Sequence, residues 1–388
     1  MKLKQFVTSL GITMAAMSAA QTASAAGFAI EARSLAMGNA SVATADIATA
    51  ALANPAMLAQ QKSEDDFALL VPSVGVFIDD SDGMIDLIDQ FQLDSASCNA
   101  GNPAACLSAV ATVAQLDNRA LSPQVSGAVA LGVSGETFSF AVSARSDVVF
   151  AGGLTNVDAT VAGVQDPNRN LLTLRGVQTT EVGVSIAGNL ELMGLKLSVG
   201  VTPKVVGVES LVLSESLATV DTGTGGLIDE NTVVDLGSFT TLDAGVMVGL
   251  SDNIKLGVVA RNLISDELAD NSNPLVPVLI SFDTQLRAGI AYNGDIVTVG
   301  VDMDLTENDP VINTFGAQAS RMLSVGAEVD IFEIAQLRVG MQKNMASGAN
   351  SDVLLTAGVG LSLGVHIDIA AIAGDNVFGA YLQTGFRF

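Results

Sequence analysis

The chain contains a single histidine, in Val365-His366-Ile367-Asp368-Ile369. His366 and Asp368 lie two residues apart, so on a strand they share one face while the isoleucines take the other. That pairing is what a hydrolase base and its orienting acid would need. No nucleophile motif such as G-x-S-x-G is expected beside it, however, and the expected role is a histidine lining a polar interior beside Asp368. No catalytic residue and no cofactor are expected. Further charged residues alternate with apolar ones along the chain: Arg145, Glu181, Lys196, Asp243, Lys255, Arg261, Arg287, Asp302, Asp304, Glu328, Arg338 and Arg387. If their strands share a sheet, these residues share its polar face, and mixed signs in a confined space form interlocking ion pairs.

Two other groups of residues could do chemistry. Asp79-Asp80-Ser81-Asp82-Gly83 resembles the start of a calcium loop but lacks the later glutamate of an EF-hand. It is expected to be solvated loop charge, like Asp266, Glu267 and Asp270 or Asp229 and Glu230. Cys98 and Cys106 are the only cysteines, with Asn, Gly and Pro between them and no histidine nearby. Two thiolates make a poor zinc site, so a local disulfide is expected. No metal is expected.

The elements that position these residues follow from composition and period. The 388 residues carry 41 acidic against 17 basic side chains, a net charge of −24, yet only 15% are charged and 49% are hydrophobic. A nucleic-acid binder needs a basic face, and a disordered chain needs low hydrophobicity, so both classes are excluded. Beyond residue 30, no uncharged apolar run reaches the length of a membrane helix. Period-two alternation in segments of roughly ten residues takes over from about residue 66, as in a transmembrane barrel. In 281–292, Phe282, Thr284, Leu286, Ala288, Ile290 and Tyr292 oppose Ser281, Asp283, Gln285, Arg287, Gly289 and Ala291.

Strands are expected near 66–78, 121–133, 136–149, 171–188, 191–207, 233–250, 253–264, 279–292, 295–305, 320–331, 334–344, 353–363, 365–372 and 377–388. The connections alternate between tiny ones, such as Ser134-Gly135 and Asn293-Gly294, and long ones, such as 79–120, 209–232 and 306–319. Asn293-Gly294 reads as a type I′ hairpin. A soluble sandwich has no reason to sort its loops by parity, whereas a bacterial outer-membrane barrel does. The predicted fold is therefore all-β: a transmembrane antiparallel barrel of about fourteen strands over residues 63–388, with short helices in the first outer loop. With no Trp, two Tyr and 4% aromatics, its interfacial girdles should be thin.

At the N-terminus, Lys2 and Lys4, an apolar run from Phe6 to about Ala19 and Ala23-Ser24-Ala25 read as a signal peptide, residues 1–25, for export. Its removal would take the net charge from −24 to −26, since it holds two lysines and no acid. The last strand alternates and ends on Phe388, which is expected to engage the outer-membrane assembly machinery. The other expected partners are membrane lipid, lipopolysaccharide and a hydrophobic small-molecule ligand, with no nucleic acid.

Residues 26–62 do not alternate and are rich in Ala and small polar residues. Within them, ARSLAMGNASVATADIATAALANPA resembles the N-terminal region of the FadL-type long-chain fatty acid transporter superfamily. It is closer still to outer-membrane proteins labelled conjugal-transfer TraF-like. The resemblance implies a fourteen-stranded barrel whose N-terminal segment folds back as a hatch, here carrying the motif Asn54-Pro55-Ala56. It also implies one of two roles: a passive channel for hydrophobic or amphipathic molecules, or a structural or assembly component at the cell surface. A thioredoxin-like periplasmic protein shares the TraF label, but its redox chemistry would need a Cys-x-x-Cys that this chain lacks.

Overall fold

The computed structural model describes residues 31–60, 67–192, 195–220, 233–270, 278–312, 314–315, 318–347 and 352–387. The expected signal segment and Phe388 lie outside them. Sixteen strands follow in chain order: β1 (Phe67–Asp79), β2 (Ser122–Val133), β3 (Phe138–Thr155), β4 (Leu171–Leu192), β5 (Leu195–Ser216), β6 (Val233–Gly249), β7 (Ile254–Arg261), β8 (Asp266–Asp270), β9 (Val278–Phe282), β10 (Gln285–Asn293), β11 (Val297–Asp304), β12 (Met322–Ile331), β13 (Ala335–Asn344), β14 (Val353–Ser362), β15 (His366–Gly374) and β16 (Val377–Arg387). Fourteen of them close an antiparallel barrel, β1 pairing with β16, while β8 and β9 form a separate two-stranded sheet. Closure removes every strand edge from the wall, which is what a sheet facing lipid requires.

One end of the barrel has short turns and the other has the long loops. At the turn end, Phe332 and Glu333 take left-handed conformations (φ 55° and 60°). Asn293-Gly294 does not form the expected type I′ turn, because neither residue has positive φ. Asn293 instead stays in the ladder opposite Thr298, and Gly294 N–H donates to Val297 O, which closes a longer connection.

The expected strand 279–292 is also two elements. It breaks at Asp283-Thr284, where Thr284 Oγ1 donates to the carbonyl of Asn262. Beyond the break, Phe282 leaves the outward face and packs 5.0 Å from the ring of Phe239 inside the mouth. Burial of the aromatic pair outweighs continuation of the alternation.

The wall is unequal in height. β3 to β6 have 18, 22, 22 and 17 residues, whereas β7 and β10 to β15 have 8 to 10. Crossing a bilayer takes about 9–11 tilted residues, so the four tall strands project beyond it at the loop end. Their outward faces show where. On β4, Val182, Val184 and Ile186 are exposed lipid-type residues, Gln178 and Thr180 are polar, and Leu172 and Leu174 are buried again.

The helical hairpin of the first loop, α3 and α4, covers that upper apolar patch (the short helices α1, Ala32–Ala36, and α2, Ala50–Ala53, precede it). α3 (Met84–Asn99) begins where Asp80 accepts the N–H groups of Met84 and Ile85, and α4 (Pro103–Leu116) begins at the Asn102 cap with Pro103 in its first turn. Capping oxygens and an early proline are ordinary helix starts. Met84, Ile85, Ile88 and Phe91, with Ala109, Val113 and Leu116, pack on Val148, Phe150, Leu172, Leu174, Leu211 and Leu213. These wall residues lie on the outward parity, so the hairpin sits against the outside of the tall wall. Cys98 and Cys106 are disulfide-bonded across the tip of the hairpin. The acidic loop before α3 is structural: Asp79 holds the N–H of Ser81, and Asp82 holds that of Ala120.

Exposed aromatic side chains gather mostly at the turn end, where Phe138, Phe140, Tyr292, Phe332 and Phe386 lie on the outside, with Phe378 alone among the described residues at the loop end. The girdle is thin.

Candidate functional site

Residues 31–60 lie inside the barrel, almost wholly buried. This inner segment runs through α1, α2 and a 3-10 turn, Pro55–Gln60. Its side chains are mostly small, so its backbone comes close to the wall and needs partners there. The wall supplies them strand by strand. From β16, Gln383 Oε1 accepts Ala32 N–H (3.0 Å), and from β14, Thr356 Oγ1 accepts Gly38 N–H (2.9 Å). On β11, a single carboxylate oxygen of Asp302 takes the N–H groups of both Ser41 (2.7 Å) and Val42 (2.8 Å). Arg287 on β10 reaches Asn39 O, and Arg261 on β7 donates to Leu52 O.

Most of the charged residues at inward positions fall into three groups, while Lys196 is exposed at the turn end. Arg33 of the inner segment donates to both oxygens of Glu328 (3.0 Å each), Glu328 also pairs with Arg338, and Arg338 reaches Asp368. Arg287 pairs with Asp304 at 2.6 Å. Higher up, Arg145 pairs with Asp147 (2.6 Å), and Lys204 sits 3.0 Å from both Glu181 and Asp243. This third group, with Arg261, Ala51 and Leu52, lines a cavity of about 20 Å³, room for about one water molecule. At the turn end, Arg387 closes the ring on Asp46 of the inner segment at 2.7 Å.

Asn54 of the Asn-Pro-Ala motif is fully buried. Its amide donates to Val42 O (3.0 Å), and its oxygen accepts Ala56 N–H (3.1 Å), so one side chain ties two turns of the segment together. The motif rests on glycines. A Cβ at Gly245 would fall 1.9 Å from the Asn54 oxygen, and one at Gly200 would fall 2.4 Å from the Pro55 carbonyl carbon.

Sequence reasoning missed this contact surface. Inward positions on β10 to β14 hold Gly289, Gly300, Gly326, Gly340 and Gly358, in register or nearly so. A methyl at Gly326 would meet Met37 O at 2.0 Å, and one at Gly340 would meet Gly38 N at 2.2 Å. A glycine recurring on the polar face of each strand was the available signal.

Sequence reasoning also missed Ser362. Its Oγ lies 2.7 Å from His366 Nδ1, and His366 Nε2 lies 3.0 Å from Asp368. Gly360-Leu361-Ser362-Leu363-Gly364 has the form G-x-S-x-G, although it spans the turn between two strands rather than a strand-to-helix elbow.

At the loop end, above the small cavity, the interior turns apolar. Ala151, Val177, Val206, Val208 and Phe239 on the tall wall meet Ile280 and Phe282 of β9 and Val311 and Ile312 of the connection between β11 and β12. Asp270, at the end of β8, anchors this closure by accepting from Ser210 (2.5 Å) with Arg175 at 3.9 Å.

No curated protein sequence matches the chain. Among solved structures it is similar to the Ralstonia pickettii toluene transporter TbuX, with TM-score 0.54 and 15% identity over 94% of this chain and 99% of that one. The P. putida toluene transporter TodX gives TM-score 0.55 and 14% identity over 94% and 99%. A Pseudomonas aeruginosa FadL homologue gives 0.56 and 12% over 96% and 99%. These likenesses establish a FadL-type barrel fold. A family model described as "F plasmid transfer operon, TraF, protein" matches residues 51–304, well over half of the chain, and the chain belongs to that family.

Proposed function

We propose that the chain is a bacterial outer-membrane barrel working as a passive channel for hydrophobic or amphipathic small molecules. Residues 26–62 act as its plug, the turn end faces the periplasm and the loop end faces outward. The observation that carries this reading is the apolar closure of the mouth by Val177, Val206, Val208, Phe239, Ile280 and Phe282 directly above the plugged interior. An apolar solute gains by leaving water for such surface, about 25 cal/mol per Å². The architecture shared with proteins described as toluene transporters supports the same reading. Uptake of labelled hydrophobic compounds by cells with and without the protein tests it, and equal uptake would reject it.

A second reading, a non-transport assembly component at the cell surface, is favoured by the three ion-paired groups that close the interior. It is also the reading that the family description suggests. It predicts a partner retained on the tall wall and no change in uptake.

A further inference from the structure

We propose that Ser362, His366 and Asp368 form a serine-hydrolase site at the turn-end rim of the barrel, acting on small carboxylic esters. Three observations converge. The residues form a continuous hydrogen-bonded chain, Ser362 Oγ to His366 Nδ1 at 2.7 Å and His366 Nε2 to Asp368 Oδ2 at 3.0 Å. Nucleophile, base and orienting acid in that order are what activates a hydroxyl, whichever ring nitrogen faces which partner. The acid is fixed: Asp368 is fully buried, with Arg338 on one carboxylate oxygen and Gln383 on the other at 3.2 Å. The base is reachable, because the His366 side chain keeps 21% of its surface exposed.

The placement also suits a reaction. Ser362 ends β14, and the next residues form an exposed turn with Gly364 at φ 83°. The Gly364 N–H has no backbone partner among the described residues, two residues from Ser362, where a donor to a developing oxyanion is wanted. Asp46 and Arg387, paired at 2.7 Å, stand at the same rim beside His366, and small activated esters are the substrates that such an open rim site can take without a built acyl pocket.

In the reaction, Ser362 Oγ bonds to the ester carbonyl carbon while His366 takes the hydroxyl proton. The alkoxy group leaves with that proton as an alcohol. Water, deprotonated by His366, then attacks the acyl-serine, releases the carboxylic acid and restores the hydroxyl. No redox partner or metal enters the balance.

The site is independent of transport, and its test does not use uptake. Purified protein in detergent is treated with a fluorophosphonate probe and, separately, with p-nitrophenyl acetate. The expected result is stoichiometric labelling at Ser362 and ester turnover, both lost in S362A. General-base assistance is worth roughly a hundredfold or more, so H366A should slow labelling by about that factor. S362C supplies a second measurement: its alkylation by iodoacetamide should be about tenfold faster with His366 present than in S362C/H366A. Heat-modifiability on gels confirms that each variant keeps its barrel. Labelling of the parent no faster than S362A, or equal alkylation rates with and without His366, would overturn the proposal.

Discussion

The tall wall, β3 to β6, and the short wall, β7 and β10 to β15, are parts of one closed sheet with opposite relations to what they enclose. The short wall lets the inner segment come close through glycines at 289, 300, 326, 340 and 358, with main chain meeting main chain at Gly326 and Gly340, and Asp302 and Thr356 satisfy exposed N–H groups. The tall wall meets the segment closely only low down, at Gly200 and Gly245 beneath Pro55 and Asn54, and higher up it presents side chains. Its inner face carries ion pairs around the small cavity and then an apolar mouth, and its outer face carries a second apolar patch under the helical hairpin. Gripping a segment and shaping an entrance are different physical tasks. A backbone contact is rigid and intolerant of added atoms, whereas a side-chain mouth can repack.

The largest expected effect comes from removing what the short wall grips. Deleting residues 27–62 while keeping the signal should raise ion conductance in planar bilayers severalfold, with the barrel still heat-modifiable. Unchanged conductance would mean that the segment does not block the interior.

A single methyl sharpens the comparison. Gly326→Ala places a Cβ 2.0 Å from Met37 O, so either the inner segment or the wall must shift, at a cost of about 1–3 kcal/mol. Gly207→Ala, at an outward position away from the inner segment, meets only Thr180 O at 3.9 Å and should change little. Thermal unfolding measured in one detergent compares the two, and equal shifts would erase the distinction drawn here.

At the mouth, Asp270 is the polar anchor of β8 and β9, which pair as strands only with each other. Asp270→Asn weakens a charge-assisted contact worth about 1.5–3 kcal/mol while leaving the apolar packing. It should increase labelling of a V206C thiol buried beneath the closure about tenfold, with no effect on the inner segment. Labelling at the parent rate would place the restraint in the apolar contacts alone.

The barrel was legible because one number, the period of two, repeats fourteen times and the loops sort by parity. The inward charges were legible from the same alternation, which fixes a residue's face without fixing its partner. Arg338 meeting both Glu328 and Asp368 depends on register between three strands, and no single strand states that. Asp283-Thr284 looked like part of a strand because the alternation continues through it. What breaks it is a tertiary contact, Phe282 on Phe239. Similarly, the sequence announced short helices in the first outer loop but not which side of the wall would cover them. The tall strands settle that by carrying a second apolar patch above their polar collar.

The smallest effect should appear in that outer cover. Asp80 is buried at the start of α3, and burial pushes its carboxyl up to about 6, against the N–H groups of Met84 and Ile85, which favour the charged form. Because the folded value lies above the ordinary carboxylate range, the neutral acid is the better fit. The stability it contributes is complete below the unfolded value, near 4, and is lost as pH rises through about 6. The helical hairpin should therefore be held more firmly at pH 5 than at pH 7.5. Amide exchange across residues 84–99 should slow correspondingly, after correction for the intrinsic pH dependence of exchange. Asp80→Asn keeps an acceptor oxygen for the helix N-terminus and removes the titration, so its corrected protection should be flat over that range. A step of equal size in the Asp80→Asn protein would show that another group titrates at the hairpin and would remove Asp80 as the cause.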